Sequence, residues 1–157
     1  MFLTLPLALQ ARPRIRVEIF LAVECPISNR YIPELKRIVS LYQPKGVDFL
    51  ALFPEARLTE ASLEDWRKSY EFPIPVQLDP LGVRAEQAGA TLTPEVVVFL
   101  EDKLIYRGRI DDRYVSWGKS RPAPTRRDLA DTLQMLLDGK TLLPRFTKSW
   151  GCFIEAR

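Results

Sequence analysis

Residues 15–28 read Ile15-Arg16-Val17-Glu18-Ile19-Phe20-Leu21-Ala22-Val23-Glu24-Cys25-Pro26-Ile27-Ser28. Val, Ile, Phe and Leu dominate the first part, with two charges near its start, and a run of this kind predicts a buried strand over 14–23. Beyond it Ile32, Leu35, Ile38, Val39 and Tyr42 recur at helical spacing and predict a helix over 27–43, with Pro33 kinking it from inside. Cys25 therefore sits where a core strand hands over to a helix. Only a thiolate is a good nucleophile, and a helix N-terminus lowers a thiol's pKa. Free cysteine is also among the most buried of residues, and buried cysteine is usually inert packing. The junction alone leaves both readings open.

Composition narrows the chemistry around that junction. The chain has 157 residues, enough for one domain with a core, and a net charge of +3. Its basic residues are interspersed with 20 acidic ones, which argues against a nucleic-acid partner. Histidine is absent, so imidazole acid–base catalysis, Cys–His dyads and His-ligated metals are excluded. Two cysteines cannot by themselves build a structural zinc site or an iron–sulfur cluster. None of the seven glycines falls in a phosphate-binding loop pattern. The reading calls for no metal and no cofactor, and the cysteines become the leading chemical candidates.

Further along, Gln43-Pro44-Lys45-Gly46 predicts a turn and 46–53 a second strand. A helix is expected over 59–71, with Ser62 and Asp65 as its capping box. A short strand over 75–79 and a helix over 81–89 ending at Gly89 follow. Pro94 opens the strand 95–100, and Glu101-Asp102 turns it into a hairpin partner over 103–110. Residues 111–124 read as a polar loop. The last helix is expected from Pro124 or Thr125 to Leu137, capped by Thr125 with Asp128. The order β-α-β-α-β-α-β-β-α predicts an α/β domain whose mixed sheet is flanked by helices on both faces. The apolar start, Met1 to Ala11, has three readings: a signal-like remnant with a small-residue exit at Ala11, a first strand, or a disordered start. It is too short to span a membrane, and nothing else in the chain resembles a spanning segment.

Three local features give this order a family likeness. A cysteine ends the first core strand, Pro33 follows Cys25 by eight residues, and Thr93-Pro94 precedes the last hairpin. Together they resemble the thioredoxin-like fold, in which such a threonine–proline bond is cis. The stretches Glu24 to Tyr31, Arg107 to Tyr114 and Pro124 to Leu129, with Gly151-Cys152, resemble redoxins related to AhpC/TSA, mostly extracytoplasmic bacterial proteins. The likeness implies a thioredoxin-like domain over 13–139, preceded by the signal-like or disordered segment 1–12 and followed by a tail, 140–157, that carries Cys152. It implies a periplasmic or secreted location and a thiol or disulfide of a protein or small molecule as partner.

The departures from those families are specific. Ser28 replaces the second cysteine of Cys-x-x-Cys, and a hydroxyl cannot resolve a mixed disulfide. Glu18 and Ala22 stand where peroxiredoxins carry proline and the peroxide-binding threonine. Ile19 occupies the place of the buried acid of thioredoxins, and Glu24, if close, disfavours a thiolate.

The resemblance makes Cys25 the attacking thiol of a thiol–disulfide oxidoreductase. Cys152 is then either its resolving partner or a packed cysteine beside Trp150 and Phe153. Resolution needs Cα atoms within roughly 7 Å. Pro26, Thr93 and Pro94 are expected to line the site, with the Thr93 backbone pairing with an extended substrate. Arg109, Asp111 and Asp112 are expected at its rim. There Arg109 would support the thiolate and a carboxylate would move protons, or else the cluster is a solvated hairpin end with internal ion pairs. Trp117, Tyr31 and Tyr114 are placed as covers of the site or as packing anchors. The rival functions are a one-Cys peroxidase and a thioredoxin-like binding module without turnover.

Overall fold

The computed structural model describes residues 11–155. The expectation for Met1 to Ala11 therefore lies almost wholly outside the described residues. Apolar alternation builds the centre. In β1 (Ile15–Phe20), Ile15, Val17 and Ile19 point to one face, while Phe20 joins Leu52 and Val97 on the other. β2 (Val47–Phe53) lies parallel to β1, and β3 (Val76–Leu78) lies parallel to β2. β5 (Glu95–Leu100) runs antiparallel to β1, and the hairpin returns as β6 (Lys103–Gly108). The six-stranded order is β3-β2-β1-β5-β6-β9.

The helix expected over 27–43 is two helices, α1 (Pro26–Arg30) and α2 (Ile32–Tyr42). They part at Tyr31, because Pro33 sits in the first turn of α2 and has no N–H to continue the α1 ladder. Leu35 and Ile38 of α2 meet Leu63 and Trp66 of α3 (Glu60–Ser69) and Leu129 and Leu133 of α5 (Asp128–Leu137) in the main core. α4 (Val83–Ala88) covers the opposite face with Ala85 and Ala88, whose small side chains let it approach the sheet. On that face the buried Glu18 carboxylate is matched by Arg84 and Arg16.

Two capping expectations are corrected. Thr59, not Ser62, caps α3: the Ser62 N–H donates to Thr59 Oγ1 at 3.2 Å. The Thr125–Asp128 box does not form, and α5 starts at Asp128 with no side-chain cap. A distant carboxylate satisfies the donors instead. Asp112 accepts from the N–H groups of Thr125 (2.7 Å) and Arg126 (2.9 Å) and from the Thr125 hydroxyl.

The segments on either side of α5 carry structure that the sequence reading left irregular. Residues 111–124 contain a small hairpin, β7 (Tyr114–Ser116) and β8 (Lys119–Ser120). After α5 the chain returns as β9 (Arg145–Phe146), parallel to β6. Gly108 makes this possible, since a Cβ there would lie 2.1 Å from Thr147 Oγ1. β10 (Cys152–Phe153) then pairs antiparallel with β4 (Leu92–Thr93).

Candidate active site: two thiols at the strand end

Cys25 is the N-cap of α1, with extended backbone angles of φ −82° and ψ 112°. The residue is 2 % exposed, and its sulfur accepts a hydrogen bond from the Ser28 N–H at 3.5 Å. Pro26 follows as the first residue of α1, where its missing N–H costs nothing. The loop before the cysteine is tied down from several sides. Glu55 Oε2 accepts from the Val23 N–H at 2.9 Å, and the Asn29 amide donates to the Val23 carbonyl at 2.8 Å. Trp66 Nε1 donates to Asn29 Oδ1 at 3.1 Å and fixes that amide in turn. Ser28 is fully buried, and its hydroxyl accepts from the Ala22 N–H at 3.4 Å.

β4 and β10 bring the rest of the site. The Thr93–Pro94 peptide is cis, and the Cys25 thiol donates to the Thr93 carbonyl at 3.3 Å. Antiparallel pairing sets Cys152 opposite Thr93, and the two sulfurs lie 2.7 Å apart. Both cysteines are free thiols, the separation exceeding the roughly 2.05 Å of a bonded pair. Gly151 permits the approach. A Cβ there would stand 2.0 Å from the Thr93 carbonyl oxygen, which no side chain tolerates.

The pairing divides the two thiols electrostatically. Burial pushes the Cys25 thiol up, but hydrogen bonds from Cys152 and Ser28 outweigh it, and the net shift is downward. Cys152 moves the other way, to about 12, through burial and through its hydrogen bond and charge interaction with Cys25. Glu24 is exposed and takes no part in either shift. Glu55 does. It lines the same open groove as Cys25 and Cys152, and burial raises its carboxyl above the usual range despite the Val23 hydrogen bond. Its charge adds to the upward shift of Cys152. The sequence reading missed Glu55; its only linear signal is its position two residues past the end of β2.

The polar cluster is elsewhere. Pro94, Arg109, Ile110 and Asp111 do line one small cavity, so the hairpin returns to the cysteine end of the sheet. The expectation that Arg109 supports the thiolate is nevertheless corrected. Arg109 Nε donates to Asp128 at 2.7 Å, and Arg145 holds the other Asp128 oxygen at 3.1 Å. No arginine figures among the groups that shift Cys25. Asp111 accepts from the Tyr31 hydroxyl at 2.6 Å and the Arg113 N–H at 2.9 Å, and Asp112 serves the approach to α5. Arg107 instead stacks on Phe146. Tyr31 and Tyr114 are buried packing residues, whereas Trp117 is exposed and lies against Phe153, 6.5 Å between ring centres.

No family model matches the chain, and no curated protein matches it either. Solved structures do. An uncharacterized conserved protein from Geobacillus kaustophilus superposes with a TM-score of 0.80 at 25 % identity, covering 92 % of this chain and 78 % of its own. A hypothetical protein from Sinorhizobium meliloti gives 0.78 at 23 % identity, covering 91 % and 80 %. The exposed lipoprotein thioredoxin of Streptococcus pneumoniae gives 0.57 at 22 % identity, covering 78 % and 85 %. With a mixed sheet flanked by helices and a cysteine at the end of its central strand, the chain has a thioredoxin-like fold.

Proposed function

We propose that the protein is a thiol–disulfide oxidoreductase whose dithiol is Cys25 and Cys152. One observation carries this reading: residues 127 positions apart bring their sulfurs to 2.7 Å. Packing alone has no need for that contact, and it restores the second thiol that Ser28 removed from the turn. Cys25, with its lowered pKa, is the nucleophile. Its thiolate attacks one sulfur of a partner disulfide, and the other partner sulfur leaves as a thiolate and takes up a proton. Cys152 then gives up its proton, attacks the Cys25 sulfur and releases the partner's second thiol. The partner disulfide gains two electrons, and the protein dithiol is oxidised to a disulfide. An external thiol reductant returns it. Glu55 is the base suited to the second step, because its raised carboxyl pKa lies closer to that of a thiol than an ordinary carboxylate's. Pro26, Thr93 and Pro94 shape the entrance. Arg109, Asp111 and Asp112 hold the hairpin end that backs Pro94. An extracytoplasmic location fits this chemistry, since disulfides persist there.

The test is reduction of a small-molecule disulfide under excess reductant. Cys25→Ser is expected to abolish catalysed turnover. With reductant removed, pre-reduced Cys152→Ser mixed with the disulfide is expected to leave one partner thiol per chain trapped on Cys25, visible by mass. Undiminished turnover in Cys25→Ser rules the reading out.

A further inference from the structure

β4 is two residues long, and among the described residues β10 is its only strand partner. The ladder sets Cys152 opposite Thr93 and Phe153 opposite Leu92, and the Ile154 N–H continues it to the Thr91 carbonyl at 2.9 Å. This edge borders the reactive sulfur, since Thr93 accepts the Cys25 thiol. The C-terminal segment therefore pairs with the backbone beside Cys25 and stands against the sulfur itself. Cys25 is 2 % exposed, and Cys152 stands against its sulfur. No outside disulfide can approach Cys25 in line while Cys152 holds that place.

The segment is held unevenly. Up to Thr147 it is fixed to β6: the Thr147 N–H donates to Arg107 at 3.0 Å, and its hydroxyl meets the Tyr106 hydroxyl at 2.6 Å. Beyond Gly151 the hold is a two-residue ladder extended by the Ile154 N–H, a long Thr93 Oγ1 to Cys152 carbonyl bond of 3.4 Å, the half-buried Cys152 and Ile154 at the margins of the two cores, and Phe153, 76 % exposed, against Trp117. Short ladders with little buried apolar surface open at small cost.

We propose that Gly151–Ile154 is an internal stand-in for the protein's substrate: it occupies the β4 edge that an extended, cysteine-bearing segment of a partner protein takes up by displacing it. The partner is described by its stand-in. It runs antiparallel to β4 with its cysteine opposite Thr93. A glycine precedes that cysteine, because any Cβ on this path meets the Thr93 carbonyl. An apolar residue follows it, toward the exposed Trp117. Return of the segment brings Cys152 to the Cys25–partner disulfide and takes back the backbone pairing in the same movement, so resolution and release of the partner are one event. This rests on the oxidoreductase reading for its chemistry but not for its geometry.

The experiment reads access to Cys25, not turnover. In a Cys152→Ser background Cys25 is the only thiol, and its alkylation by iodoacetamide is compared with and without Gly151→Ala or Gly151→Val. Either added Cβ expels the segment from β4, and alkylation is expected to rise roughly tenfold or more. The peptide Ser-Trp-Gly-Ser-Phe-Ile, added in trans, is expected to slow it again by filling the vacated edge. Equal alkylation rates with and without the Gly151 substitutions overturn the proposal. So does a faster rate that the peptide leaves untouched. If the segment behaves as described while the wild-type protein reduces no disulfide, the oxidoreductase reading fails and the occupied edge stands.

Discussion

The chain holds two polar constellations at the same end of its sheet, and they differ in what their atoms have left to do. Around Asp128, each group is matched by another: Arg109 and Arg145 take its two oxygens, and Asp112 meets the donors of Thr125 and Arg126. Around Cys25 the contacts are few and unequal, 2.7 Å to Cys152 but 3.3 and 3.5 Å to Thr93 and Ser28. One thiol is shifted down and the other up, and an acid with a raised pKa shares their groove. A network closed on itself holds a fold in place. A pair whose proton has two neighbouring homes is equipped to react. The density of charged residues is therefore a poor guide to chemistry here, and the state of their partners is a good one.

Three substitutions press on that contrast. Glu55→Gln gives the largest change expected. Resolution of the Cys25 mixed disulfide, followed by rapid quench, slows roughly ten- to a hundredfold if Glu55 is the base, while the first attack is little affected. Faster resolution would mean that Glu55 acts only through its charge on Cys152. Asp128→Asn tests the other constellation. It leaves Arg109 with its charge unmatched and lowers stability by about 2–3 kcal/mol, less than a fully buried pair because Arg145 is half exposed. Denaturant melts measure the loss, and Cys25 alkylation should not change. The smallest effect concerns pH. Alkylation of Cys25 in the reduced protein should rise with pH through a midpoint below that of free cysteine, since its folded pKa is lowered. Cys152→Ala removes the S–H donor that favours the Cys25 thiolate, so the midpoint moves upward. A midpoint that stays fixed separates the two sulfurs chemically and breaks the contrast at its centre.

Much of this was legible in the linear sequence, because local physics writes it there. Short, nearly continuous apolar runs place β1, β2 and β5, and the proline at position 33 marks where α1 gives way to α2. Cys25 at the strand end is visible for the same reason. What escaped depends on residues far apart. Thr125 and Asp128 spell a capping box, but Asp112, reached through the hairpin, satisfies the donors instead. Arg109 looks poised for the thiolate until Asp128 is seen beside it. β9 and β10 are two residues each, too short for any periodicity, and they exist because β6 and β4 offer them edges. The cysteine pair stands between the two classes: the sequence offers it as one of two alternatives for Cys152, and no spacing rule reaches across 127 positions to choose.

The distance along the chain between Cys25 and Cys152 carries a consequence for the oxidised protein. A bond between them closes a loop of 127 positions, nearly the whole described chain. In the chain-entropy picture a crosslink of that length restricts the unfolded ensemble by about 5 kcal/mol. The two redox forms would then share a fold but not a resistance to unfolding. The oxidised form would be a ring fastened at its two ends, and each turn of the reaction would also tighten or loosen the molecule against heat and denaturant.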